Sequence, residues 1–495
     1  MPEPLWSVKT SRKIIARVVV QGDLVLETPT HLGSGDGDDL TDMLLLLDPL
    51  EGKALLTGST LAGALRSYLR SRERGFLAPL PDPTNTSACQ DERESVTVRL
   101  FGGFKGDDAG EQSPLIVDDA LGIGGGIELR SGVRLNPESR TAAHQALFDL
   151  QLWQAGTRFP LRLELVIRED DDASQLKCAL VTALEGFRDG SITLGVRKRR
   201  GYGRVRVENW RGKTYDLTTA DGLLDWIEKG DQALDALGSP PTAGLIADLG
   251  VKDLLDDART VFSMSATFAI DGSLLIRSGG GKDDLGPDMV HLHARQANGR
   301  TAPVVSGTSL AGALRARALR IAKTLGEEIR ARELLHDMFG PEMKPSVKPR
   351  ASRVIVEEQV IEHARTDLVQ SRVSLDRFTG GARETALFTE QPAFGTENTK
   401  IAVDVRLINP KDHEIGLLLL LLKDLWTGDL PLGGEQSVGR GRLEGKRATI
   451  MYRHGHKQQK WELCANGEGL TILGDRDALE RYVTTLSTFL GGGAA

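Results

Sequence analysis

Aspartates crowd two short loops, GSGDGDDLTDM at 33–43 and GGGKDDLGPDM at 279–289. The two match without gaps and both end in Asp-Met, so Asp42 corresponds to Asp288. Carboxylates at this density (Asp36, Asp38, Asp39 and Asp42; Asp283, Asp284 and Asp288) are hard oxygen ligands, suited to recruiting magnesium onto a phosphate-rich ligand. An EF-hand is excluded, because the spacing and the terminal glutamate are wrong. The competing reading is a plain solvated acidic loop.

A second pair of motifs could bind the phosphate. GSTLAGALR at 58–66 and GTSLAGALR at 307–315 each place a Gly-Ser/Thr turn ahead of an apolar helical stripe. The free N–H groups and positive dipole end of such a helix attract anions. The candidates are Gly58, Ser59, Thr60 and Arg66 in one copy and Gly307, Thr308, Ser309 and Arg315 in the other, with Ser59 or Thr308 expected near the N-cap. A third pair, RKRRGYGR at 197–204 and SVGRGR at 437–442, combines glycines that admit close backbone approach with arginines that grip phosphate bidentately. Its candidates are Arg199, Gly201, Gly203 and Arg204, then Gly439, Gly441 and Arg442. Each motif taken alone also fits a capped helix or a glycine-rich hairpin with solvated arginines.

Other chemistries find no support. The dinucleotide-binding Gly-x-Gly-x-x-Gly after an early strand is missing, as are a Walker A lysine loop, HExxH and a nucleophile triad. His31, His291 and His293 lie near the acidic loops but read as incidental.

The elements that carry these loops recur in order. RLFG at 99–102 pairs with DMFG at 337–340, VRLNPESRTAAHQALF at 133–148 with VSLDRFTGGARETALF at 373–388, and LGVRKRRGYGR at 194–204 with LGGEQSVGRGR at 432–442. Five ordered matches with a period of roughly 240 residues describe one domain written twice. The reading is a first domain over 1–212, a helical linker over 213–258 containing GSPPTAG, and a second domain over 259–495. Each copy opens with a strand, KIIARVVVQGDLVLE or VFSMSATFAI, followed by a helix buried through Leu61, Leu65 and Leu69 or Leu310, Leu314 and Ile321. Later strands FPLRLELVI and TKIAVDVRLI precede further helices, which gives an α+β sandwich in each half. The insert TSACQDERES in the first copy is expected to be a surface loop.

Composition agrees with a globular chain. Of 495 residues, 40% are hydrophobic and 26% charged, and the net charge of −7 leaves any nucleic-acid contact to local basic islands. The longest apolar run, Leu417–Leu422, is far short of a membrane span and reads as a buried helix. Three separated cysteines and an N-terminus without a secretory signal point to the cytoplasm, with no membrane.

Taken together, the stations resemble the RAMP superfamily, whose members build the backbone of type III CRISPR effectors. DMLLLLDP at 42–49, TGSTLAGALR, RLFG, VSLDRFTGGA and RRGYGR fill the family's motif positions. Ala62 and Ala311 stand where the family has a helix lysine, and Asp376 and Arg377 supply a thumb pair that the first copy lacks. The resemblance implies two tandem ferredoxin-like (RRM-type) domains, each with a β-hairpin thumb, in a double backbone subunit like the fusions of subtype III-D-like systems. It further implies that guide crRNA is bound along its phosphates, Arg377 joining the residues above, and that other effector subunits flank the chain. Complementary target RNA would be cut in a Mg2+-dependent way through Asp42 and Asp288, which act as catalytic and metal-binding residues. The rivals are a purely architectural guide-binding subunit, a metal-independent guide-processing endoribonuclease and a duplicated metabolic enzyme.

Overall fold

The computed structural model describes residues 13–33, 44–82, 84–104, 106–107, 110–136, 141–230, 232, 234, 245–278, 286–341, 347–455, 457–466 and 469–491. In the first half, the β-branched run Ile14–Leu26 forms the central strand. Arg158–Arg168 and Val205–Asp216 pair with it antiparallel on either side, and Leu115–Val117 adds to the outer edge of Arg158–Arg168. Helices Gly58–Arg74 and Ala173–Arg188 are the two crossovers between strands, and their apolar faces cover the sheet. The strand order, numbered by occurrence among these four, is 2-3-1-4.

The second half repeats this plan. Thr260–Asp271 is central, flanked antiparallel by Lys400–Ile408 and Arg442–His454, and Val354–Val356 pairs with the far side of Lys400–Ile408. The alternation read from VFSMSATFAI is observed, with Phe262, Met264, Ala266, Phe268 and Ile270 all turned into the core. Helices Gly307–Leu325 and Asp412–Trp426 are the crossovers, the latter containing the buried Leu417–Leu422 run. Two extra strands, Lys457–Asn466 and Gly469–Leu473, widen the sheet, and the C-terminal helix Arg476–Leu490 buries Leu486 and Leu490 in the same core. Among the described residues, no helix is long and apolar enough to cross a membrane.

Both first helices bury the expected stripe: Leu61, Leu65 and Leu69 are within 2% of full burial, as are Leu310 and Leu314. Ile321 is only partly buried, and Ala318 and Ala322 complete the face instead. The caps differ from the expected residues. Thr57 and Ser306, in extended conformation two positions earlier, accept from the Thr60 and Ser309 amides, which makes Gly58 and Gly307 the first helical residues.

Two long hairpins project from equivalent places, each inserted between the second and third strands of its half. Ile127–Leu135 pairs with Ala142–Trp153, and Gln370–Leu375 with Ala382–Gln391. The insert read as a surface loop is instead helical. Asn85 caps Thr86–Arg93, Ser95 caps Val96–Phe101, and Cys89, Val98 and Phe104 form a small core of their own. Local capping by Asn85 and Ser95 outweighs the polar composition.

Of the segment read as a linker, GSPPTAG lies outside the described residues, and the described parts are fastened to the first half. The strand Val205–Asp216 runs on past residue 212, and Leu245 and Leu249 enter the first-half core. Arg259, 1% exposed, then ties the halves together: it donates to Asp257, Asp189 and Ser191 and lies 4.7 Å from the Tyr68 ring centroid.

Candidate nucleic-acid interface

The glycine loops are built alike in both halves. Arg197 and Glu435 adopt the left-handed conformation at φ 54° and 57°, each opens a single 3-10 turn (Lys198–Arg200, Gln436–Val438), and Gly201 and Gly439 close it at φ 87° and 89°. A Cβ at Gly203 would sit 1.9 Å from the Leu194 carbonyl, and one at Gly441 1.9 Å from the Leu432 carbonyl, so both positions require glycine sterically as well as conformationally.

The two loops meet different surroundings. In the first half the loop is pressed into the second. A Cβ at Gly201 would lie 2.3 Å from the Glu358 amide, and one at Gly307 2.3 Å from the Arg200 carbonyl. Arg204 pairs with Glu357 of the second half and, at 3.2 Å, with Glu27 of its own half. Arg130, from the base of the first hairpin, meets Glu358 with both terminal nitrogens, and only 5% of Arg130 and 8% of Glu358 are exposed. Burial alone would lower the Arg130 pKa, but the Glu358 carboxylate overrides it and raises the value above the ordinary arginine range. Arg199 is half-buried, and burial together with Arg406 lowers its pKa. The junction therefore brings Lys198, Arg199 and Arg200 of one half beside the Gly307–Ser309 helix start of the other.

In the second half the loop lies open. Gly439 has no heavy atom within 4 Å of a built Cβ, and Arg442 is exposed. Arg440 points inward to Glu390, which also meets Arg372 at 3.1 Å.

The helix starts carry hydroxyl clusters. Thr57 Oγ1 lies 3.0 Å from Ser59 Oγ and 2.8 Å from Thr60 Oγ1, with both Ser59 and Thr60 exposed; Ser306, Thr308 and Ser309 form the equivalent cluster. The Gly58 amide, read as a phosphate donor, donates at 2.7 Å to the Asp119 carboxylate, which supplies the negative charge the helix dipole favours. Arg66 donates to the Gly102 and Gly103 carbonyls, so it clamps the turn after the Leu-Phe-Gly motif. Arg315 is half-buried on its helix.

Asp42, with Asp36, Asp38 and Asp39, lies outside the described residues, as do Asp283 and Asp284. Asp288 is exposed at the foot of the second hairpin. Its Oδ2 accepts from the Thr389 amide at 2.7 Å and hydroxyl at 3.0 Å, and these bonds hold its carboxyl below the usual range. The next two residues, Met289 and Val290, pair parallel with Glu390 and Gln391 of that hairpin. No group of three potential metal ligands occurs among the described residues. Arg377 is exposed at the hairpin tip beside Phe378, 95% exposed, in a turn held by Asp376 Oδ1 accepting from the Phe378 and Thr379 amides.

His31 and His291 are fully buried and structural. His291 accepts from the Ile276 amide through Nδ1 and faces the Val304 carbonyl through Nε2, both at about 3.1–3.2 Å, while His31 Nδ1 bonds the Gln151 carbonyl. Sequence reasoning missed the pair Glu357-Glu358, although IVEE at 355–358 mirrors IVDD at 116–119 and was there to be found as a sixth repeated station.

Two α+β halves of one plan, each with a projecting hairpin and a glycine turn, define a tandem-repeat protein. The RAMP superfamily model matches residues 23–206 and again 270–444, and the chain belongs to that superfamily. Membership implies CRISPR-associated RNA binding, in company with crRNA and other effector subunits. No curated protein matches the chain.

Proposed function

We propose that the chain is a double backbone subunit of a type III CRISPR effector, binding guide crRNA with both halves and cutting guide-paired target RNA beside its hairpins. The order 2-3-1-4 with two crossover helices supports reading each half as a ferredoxin-like domain, and the hairpins as its thumbs. The observation that carries the reading is the recurrence of the whole apparatus, with Asp288 at the foot of a hairpin whose tip exposes Arg377 and Phe378.

The guide backbone would follow the exposed Ser59 and Thr60 hydroxyls, the Lys198–Arg200 turn beside Thr308 and Ser309, and the exposed Arg442. Sequence would be read by base pairing with the guide, and the protein would hold A-form geometry. The hairpins carry exposed apolar side chains, among them Leu129, Leu135, Leu375 and Phe378, suited to wedging a stacked base aside. A displaced nucleotide can place its 2′-hydroxyl in line with the next phosphate. Asp288 fits a magnesium ion of the kind that takes one carboxylate and completes its shell with water and phosphate oxygens, since it is exposed and ionised. Such an ion would supply charge neutralisation at the scissile phosphate.

A second reading, an architectural subunit without nuclease activity, is favoured by the Thr389 bonds that make Asp288 an anchor of the hairpin. The deciding experiment is cleavage of labelled complementary RNA by the assembled complex, with and without Mg2+, for Asp42→Ala, Asp288→Ala and the double variant. Loss of one distinct product per substitution with binding retained supports cleavage; an unchanged ladder in the double variant leaves a scaffold.

A further inference from the structure

At the foot of the second hairpin lies a cluster of charges with a buried centre. Arg440 sits between Gly439 and Gly441, only 2% exposed, and its Nη2 donates to Gln370 Oε1 at 2.9 Å and to the fully buried Glu390. Gln370 and Glu390 face each other across the two strands of the hairpin. Arg372, from the same strand as Gln370, meets Glu390 at 3.1 Å. Glu435, which opens the glycine turn, takes Arg277 at 3.4 Å and lies 3.2 Å from Arg440 Nε.

These contacts join the segments that set Asp288. Thr389, which holds the Asp288 carboxylate by its amide and hydroxyl, immediately precedes Glu390, and Met289 pairs with Glu390 itself. On the other flank of the acidic loop, Arg277 bridges to His291, and the Ser278 amide and hydroxyl donate to the Val290 carbonyl. Arg440 thus stands where the hairpin foot, the glycine turn and both flanks of the loop converge.

An ionic cluster is not required to fill this space. Glu390 Oε1 and Arg440 Nη1 are buried without a hydrogen-bond partner among the described residues, and unpaired buried polar atoms cost stability. The first half has Leu150 in the place of Glu390 and Tyr202 in the place of Arg440, and these pack with Leu152. Its Arg130, in the place of Gln370, reaches across to Glu358 of the second half. The first hairpin foot is therefore braced by the other half. Among the described residues nothing braces the second foot in that way, and its ions turn inward.

We propose that Arg440 is a positioning residue for the second cut: by pinning Glu390 to the glycine turn it fixes the hairpin foot and, through Thr389, where the Asp288 carboxylate stands. The inference rests on the cleavage reading of Asp288. It does not extend to Asp42, because Tyr202 takes the equivalent place in the first half. Charge-assisted hydrogen bonds suit the role, since they fix both distance and direction where apolar contacts fix neither.

The test compares wild type with Arg440→Gln, Arg440→Lys and the double replacement Arg440→Tyr, Glu390→Leu, which copies the first half's pair. In the assembled complex with Mg2+ and labelled complementary RNA, Arg440→Gln should slow the product beside the second hairpin by about 10- to 100-fold, as a misplaced reacting group does. Guide affinity and the product beside the first hairpin should be unchanged, and Arg440→Lys should recover part of the rate. The double variant, packed but without the ionic alignment, should remain slow. Hydrogen exchange on the full-length chain reads the same effect without cleavage: residues 288–291 should exchange faster in Arg440→Gln, and the first hairpin should not. An undiminished second product in Arg440→Gln, full rate in the double variant, equal slowing of both products, or unchanged exchange at 288–291 overturns the proposal. A wild type that makes no second product refutes the cleavage reading and this inference with it, whereas a second product that survives Arg440→Gln refutes only the role of Arg440.

Discussion

Replacing Arg130 with methionine separates two kinds of ion pair at the junction. Arg130 and Glu358 are 5% and 8% exposed, and at 3.0 Å between Nη2 and Oε1 their attraction is strong enough to offset the loss of hydration. Removing the guanidinium strands a carboxylate in the interface, at a cost of about 3–5 kcal/mol. In the neighbouring Arg204–Glu357 pair the arginine side chain is 36% exposed, and its loss leaves Glu357 with Arg406 and Glu27 with Arg206, so Arg204→Gln should cost under ~1 kcal/mol. In urea, with a slope of about 3 kcal/mol per M, Arg130→Met should lower the unfolding midpoint by about 1 M and Arg204→Gln by a few tenths. The double replacement Arg130→Met, Glu358→Leu removes both charges of the interface pair at nearly constant volume, leaves Glu128 without Arg130, and should recover part of the loss. If Arg130→Met costs less than ~1 kcal/mol, or the double variant is no better than the single, the pair does not weld the halves as argued.

The buried His291 predicts acid sensitivity. Burial, aided by His293, pushes its pKa down to about 4 from 6.5, so the unfolded chain binds the extra proton between those values. Its contribution is fully present above pH 6.5 and falls by about 3 kcal/mol as pH drops to 4, a slope that His291→Gln should flatten in a pH series of urea melts. Gly441→Ala should destabilise by more than ~1 kcal/mol, because φ is 83° and the new methyl would meet the Leu432 carbonyl, whereas Gly312→Ala in the open middle of its helix should stabilise by up to ~1 kcal/mol. Thr389→Val removes the hydroxyl bond to Asp288 while keeping the amide bond; under the cleavage reading it should shift the product beside the second hairpin far less than Asp288→Ala does.

Much of the architecture was legible because a duplicated sequence supplies its own comparison. The matched LAGALR helices, the Phe-Gly turns and the glycine loops mark where each half must repeat its backbone, and glycines with carbonyls 1.9 Å from a built Cβ explain why those letters recur. Period-two alternation in VFSMSATFAI fixed which residues of Thr260–Asp271 face the core, since a strand turns alternate side chains to opposite faces. The repeated station at 133–148 and 373–388 falls on the two hairpins.

What only the tertiary structure decided is which partner each charged group meets. RKRRGYGR and IVEE read identically whether solvated or packed together, and a separation of 153 positions between Arg204 and Glu357 leaves no local trace of their contact. Pairing of this kind depends on how two domain surfaces meet, which no pattern with the period of a helix or strand encodes. The same holds for Arg66, drawn to two carbonyls, and for the Gly58 amide, taken by Asp119. Local periodicity set the elements and their repetition, while the desolvation of opposite charges at the junction settled which copy of each loop is buried and which is left open.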